Sequence, residues 1–234
     1  MLRFFNERDI AARVSHPGVV RVFDAGYHDE RPYLVLERLD GCLAARALSL
    51  AQLVPLMAQV AEALAALHAA GVVHRDITPR NLLFAPPLAP EGRGCPDAGA
   101  PAQRDESALR LKVADLGLAK TAPGAALPLS TALTAVLGAM EYRAPEAWLS
   151  GKIVDPAIDV YALGVVLYER LAGALPFRAA RESALMEQHL YQPPPPLPAA
   201  VPADLRQLVL RMLAKPKARR PAMAEVAAFL RARR

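Results

Sequence analysis

The sequence predicts an α+β protein dominated by helices, with a few strands near its amino terminus, and three observations carry that prediction. Two short runs of β-branched, aromatic and leucine residues, Val19–Phe23 and Tyr33–Leu36, flank a polar turn at His28–Arg31. From Ser49 the apolar residues change to a helical period, with Leu53, Leu56, Val60, Leu64 and Leu67 three or four apart. Residues 155–171 are apolar nearly all round, as in a helix buried at the centre of a fold. At 234 residues, 53% hydrophobic and 22% charged, the chain is expected to fold around one large core or two small lobes.

Taken in order, residues 3–14 alternate apolar and charged positions compatible with a short helix, which His16-Pro17-Gly18 ends. The two strands follow. Ser49 and Gln52 form a capping box for the next helix, Gly71 stops it, and Pro55 is expected to kink or delay its first turn. Residues 85–108, rich in Pro, Gly and Ala and without period, read as a flexible surface insertion between two short strands. Asp155-Pro156 opens the apolar helix and Gly173 ends it. Pro193–Pro198 is a polyproline linker, and helices at about 203–214 and 222–232 close the chain.

Bulk chemistry narrows the function classes. The net charge is +5, but residues 215–234 hold seven Lys or Arg against the single acid Glu225, which leaves the remainder near neutral. With no nucleic-acid motif to support it, that basic end reads as a solvated helix terminus, and no nucleic-acid partner is expected. Arg3, Glu7, Arg8 and Asp9 interrupt any signal peptide, and no stretch of membrane-spanning length is expected. Cys42 and Cys95, far apart and without metal spacing, suggest reduced thiols and a cytoplasmic location.

Chemistry concentrates at residues 74–81, His-Arg-Asp-Ile-Thr-Pro-Arg-Asn, followed 34 positions after Asn81 by Asp115-Leu116-Gly117. A carboxylate can take the proton of an attacking hydroxyl, while a carboxamide oxygen and a second carboxylate suit Mg²⁺, which prefers hard oxygen ligands. Ala144-Pro145-Glu146 completes an ordered signature. With these motifs the chain resembles the bacterial serine/threonine protein kinases of the eukaryotic (Hanks) type, from about Arg3 to Leu230.

The resemblance implies a protein-kinase-like fold with residues 1–39 as a small-lobe remnant (helix C, strands and the start of the hinge). Residues 40–234 would form the large lobe, with the insertion at 85–108 and an activation segment at 115–146. It implies ATP and two Mg²⁺ as cofactors and a protein substrate. Asp76 would be the catalytic base, Asn81 would hold the second Mg²⁺, and Asp115 the bridging one. Leu36 would be gatekeeper, backbone groups of Glu37 and Leu39 would meet the adenine edge, and Leu83 would floor it. Glu7 matches the helix-C glutamate. Arg75 would answer to a phosphorylated activation loop, with Ser130, Thr131 and Thr134 as candidate sites and Thr131 aligning best. Glu146 and Arg220 match a buried ion pair, and Asp159 the residue that anchors the catalytic-loop backbone.

Departures accompany the match. Leu116 replaces the usual Phe and still suits an apolar slot. Thr78 stands where a Lys usually steadies the γ-phosphate, and Ala139 where a Thr would bond the same groups, so transition-state stabilisation is expected to be weaker. The glycine-rich loop and the strand lysine would precede Glu7, where six residues stand, and the first lysine of all is Lys112. Three readings fit: an incomplete kinase whose small lobe is completed by a missing segment or partner; a pseudokinase or scaffold; and a small-molecule phosphotransferase. The long segment ending in Ala-Pro-Glu, with Asp159 and Arg220 beyond it, favours a protein substrate over the third.

Overall fold

The computed structural model describes residues 14–29, 31–86, 109–116, 120–121, 140–150 and 153–233. An antiparallel hairpin comes first, β1 (Val22–His28) against β2 (Arg31–Leu36), with His28 facing Arg31 across the tip and a bulge between Val22 and Asp24. The strand therefore starts three residues later than the apolar run Val19–Phe23 suggests. Val19 and Val20 are buried and serve a different partner, bridging in parallel to Val113. Burial on both sides, not hairpin pairing, explains that run.

Helix α1 (Leu50–Ala69) begins at the expected capping box: the Ser49 hydroxyl accepts the Gln52 amide, and the Gln52 side chain accepts the Ser49 amide. Gly71 follows its end at φ 74°, where a side chain would be strained. Pro55 neither delays nor breaks α1; so near the start, it forfeits only the bond its missing N–H would make one turn back. By length and hydropathy α1 could cross a bilayer, contrary to expectation. Its Leu53, Leu56, Val60, Leu64 and Leu67 instead lie in the protein core, against the last helix.

Two further short strand pairs carry the loops of interest. β3 (Val72–Val73) pairs with β6 (Lys120–Thr121), and β4 (Leu82–Phe84) with β5 (Leu111–Val113), both antiparallel. The expected insertion thus does join two paired strands, although residues 87–108 lie outside the described residues. Then come α2 (Pro145–Leu149), α3 (Ala157–Ala172), α4 (Glu182–Tyr191), α5 (Ala203–Met212) and α6 (Met223–Arg231). Every residue of α3 from Ile158 to Tyr168 is buried, and Gly173 caps it at φ 72°. Sequence periodicity missed α4 because it buries only Leu185 and His189, too few to write a stripe.

Candidate active site

The loop 74–81 runs from β3 to β4, and a buried carboxylate shapes it. Asp159, fully buried at the start of α3, accepts the His74 amide at Oδ2 and the Arg75 amide at Oδ1, each at 2.8 Å. His68, in the last turn of α1, places Nε2 2.8 Å from Oδ2. A carboxylate this deep is tolerable because three donors replace its water. The bond to its amide holds Arg75 at φ 71°, a conformation that a non-glycine residue does not keep unaided. Burial lowers the pKa of the Arg75 guanidinium, Asp159 opposes that shift, and nearby Arg143 adds to it.

His74 links this loop to the second motif. Its Nδ1 lies 3.3 Å from the Asp76 amide and accepts from it, so Nε2 carries the proton and donates to the Ala114 carbonyl at 2.9 Å. The Ala114 amide in turn donates to the Asn81 carbonyl at 2.9 Å. Asn81 directs its side-chain N–H groups at Asp76, 2.8 Å to the backbone carbonyl and 3.0 Å to Oδ2. With both amide hydrogens on one neighbour, its carbonyl oxygen is the atom left to face a cation. Asp115 follows directly at φ 60°, and Leu116 is buried in the core. Asp76, Asn81 and Asp115 are thus brought together through His74 and Ala114. An oxygen set of one carboxamide and two carboxylates fits Mg²⁺, which binds through few protein ligands and keeps water or phosphate for the rest. Thr78 is buried in the same loop, and its carbonyl accepts the Asn81 amide.

The connector after β2 lies alongside. Leu36 is 40% exposed, Glu37 and Leu39 are partly buried, and Leu83 on β4 pairs with Lys112 on β5. Farther out, Glu146 and Arg220 form a two-pronged pair at 2.6 and 2.9 Å, with the Arg side chain fully buried. The guanidinium also donates to the carbonyls of Ala214, Ala157 and Lys215, tying the Ala-Pro-Glu segment to the start of α3 and the loop before α6. Glu7, Ser130, Thr131, Thr134 and Ala139 lie outside the described residues.

Sequence reasoning missed His68 and the structural work of His74 and Lys112. The signal for His68 is a histidine on the apolar face of α1, six residues before His74. Alone, it resembles any core histidine.

The loop that carries Asp76 and Asn81 and the segment that leads to Asp115 thus share one hydrogen-bonded frame. The sequence profile of the protein kinase domain matches residues 2–229, and the chain belongs to the protein kinase domain family. It is 37% identical over 234 residues to the serine/threonine-protein kinase Pkn1 of Myxococcus xanthus, covering 97% of this chain and 31% of that protein. It is 36% identical over 235 residues to PkaB of Streptomyces coelicolor (98% and 52%), and 34% over 229 residues to PknA of Mycobacterium tuberculosis (93% and 47%), both also serine/threonine-protein kinases. The chain spans about a third to a half of the length of these relatives. The expected kinship with bacterial serine/threonine kinases and the kinase-like fold are both borne out.

Proposed function

We propose that this domain transfers the γ-phosphate of MgATP to Ser or Thr hydroxyls of protein substrates. The observation that carries the reading is Asn81, whose side-chain amide donates to both the carbonyl and the carboxylate of Asp76 while its backbone carbonyl accepts the Ala114 amide, next to Asp115. Asp76 would accept the proton of the attacking hydroxyl. Asn81 and Asp115 would hold Mg²⁺, which neutralises the developing charge on the phosphates. The hinge at 37–39 would dock the adenine between Leu36 and Leu83. Residues 1–39 would belong to the small lobe and 40–234 to the large one, with 115–146 as activation segment. Arg75, beside Arg143, would receive a phosphate placed on Thr131 or Thr134.

A scaffold reading has one observation in its favour: the neutral, buried Thr78 where the resemblance calls for a lysine. The two separate cleanly. Asp76→Asn should abolish transfer of labelled phosphate to a protein substrate while leaving MgADP binding in place. Full transfer by Asp76→Asn would overturn the assignment of the base. A wild-type protein that transfers nothing but still captures its partner would establish the scaffold.

A further inference from the structure

Lys112, the first lysine of the chain, has no part in the chemistry above. It sits on β5, three residues before Asp115, and its ammonium meets the Glu37 carboxylate at 2.5 Å. Both side chains are mostly buried, 14% and 21% exposed. The same carboxylate oxygen accepts the Arg21 amide at 2.8 Å, and the Glu37 amide donates to the Arg21 carbonyl at 3.0 Å. Glu37 is thus fixed through both backbone and side chain.

A second anchor follows at once. The Asp40 amide donates to the Phe84 carbonyl at 2.8 Å, and the Phe84 amide to the Gly41 carbonyl at 3.0 Å. Between the anchors lie Arg38 and Leu39, whose amides make no hydrogen bond among the described residues. β5 is itself held on both sides, by β4 and by the bonds that join Val113 to Gly18 and Val20. The lysine therefore reaches from a rigid strand to the near end of a two-residue span.

We propose that Glu37 and Lys112 form a positioning pair. It fixes the connector 37–39 relative to the strand leading to Asp115, so that the adenine-facing backbone and the metal-binding carboxylate are set apart correctly before nucleotide arrives. This rests on the nucleotide-binding reading above. Without the ammonium, the connector keeps its backbone bonds at Glu37 and Asp40, but the Glu37 carboxylate is held by a single amide. Its added freedom must then be given up on binding, which lowers affinity without touching the reacting atoms.

Calorimetric titration of the full chain with adenosine and with MgADP tests this. Lys112→Met should weaken both ligands by the same factor, about five- to ten-fold. Lys112→Arg should stay within about two-fold of wild type, because the cation is kept. Glu37→Gln should weaken binding too, and Glu37→Gln combined with Lys112→Met should do no worse than Lys112→Met alone. In turnover, Lys112→Met should raise KM for ATP with kcat nearly unchanged, a split that general destabilisation does not give. If wild type and both single variants bind adenosine equally, the pair is only structural and the inference fails. If wild type binds neither ligand, the nucleotide reading itself falls, and the inference with it. Should Lys112→Met not fold, Glu37→Gln decides between the same outcomes.

Discussion

Replacing Asp159 by Asn keeps the side chain's volume and removes its charge and one acceptor. In the native protein Oδ2 faces two donors, the His74 amide and His68 Nε2, and Oδ1 faces the Arg75 amide. A carboxamide presents one oxygen and one NH₂, so in either orientation at least one loop donor meets another donor. With its oxygen toward His74 and His68, the Arg75 bond is lost. Turned over, two bonds are lost. A hydrogen bond to a charged acceptor contributes about 1.5–3 kcal/mol, and a buried donor left unpaired costs about 1–3 kcal/mol. The better orientation therefore costs about 3 kcal/mol, or about 6–12 °C in Tm for a chain of this size. Released from its bond, Arg75 should leave φ 71° and shift Asp76, its neighbour, so phosphate transfer should fall along with stability. Urea titration and thermal melting measure the first effect, and transfer of labelled phosphate the second. A variant within about 1 kcal/mol of wild type with unchanged transfer would refute the view that this carboxylate holds the loop.

Arg220→Ala leaves Glu146 without its partner and takes one donor away from each of three carbonyls, so urea titration should show a loss of about 3–5 kcal/mol. Arg220→Lys should restore only part of it, since an ammonium cannot reproduce the two-pronged fork. At Gly164 an added Cβ would stand 2.9 Å from Met212 Cβ, so Gly164→Ala should cost about 1–2 kcal/mol after the gain in helix propensity; a neutral result would mean that α3 and α5 part without strain. His189, fully buried between Tyr161, Phe177 and Trp148, has its pKa pushed from 6.5 to about 3 by burial and then by the Lys215 cation, with the backbone of Glu141 opposing the shift. The unfolded chain takes up this proton below pH 6.5 and the folded one not until about pH 3, so stability should fall as pH drops through that interval, by up to about 1.4 kcal/mol per unit. Denaturant titrations at pH 6.5 and 4.5 should show that slope in wild type and a shallower one in His189→Gln; equal slopes would place the acid sensitivity elsewhere.

Much of this protein is legible in its sequence because the information is local. The capping box at Ser49, the glycines after α1 and α3, and the apolar α3 each depend on neighbours within a few residues, where helical geometry translates spacing directly into contact. The same holds for the motif at 74–81, whose fixed spacing presents Asp76 and Asn81 to each other within one loop. What spans the chain could not be read this way. Asp159 meets His74 from 85 residues away, Arg220 meets Glu146 from 74, and Lys112 meets Glu37 from 75. Sequence reading placed the first two by resemblance alone and gave Lys112 no partner. The sequence by itself determined the long apolar helices, the motif at 74–81 and the family. Only the tertiary structure decided which buried charge answers which, because such pairs form where separate elements exclude water together, a condition no local pattern records.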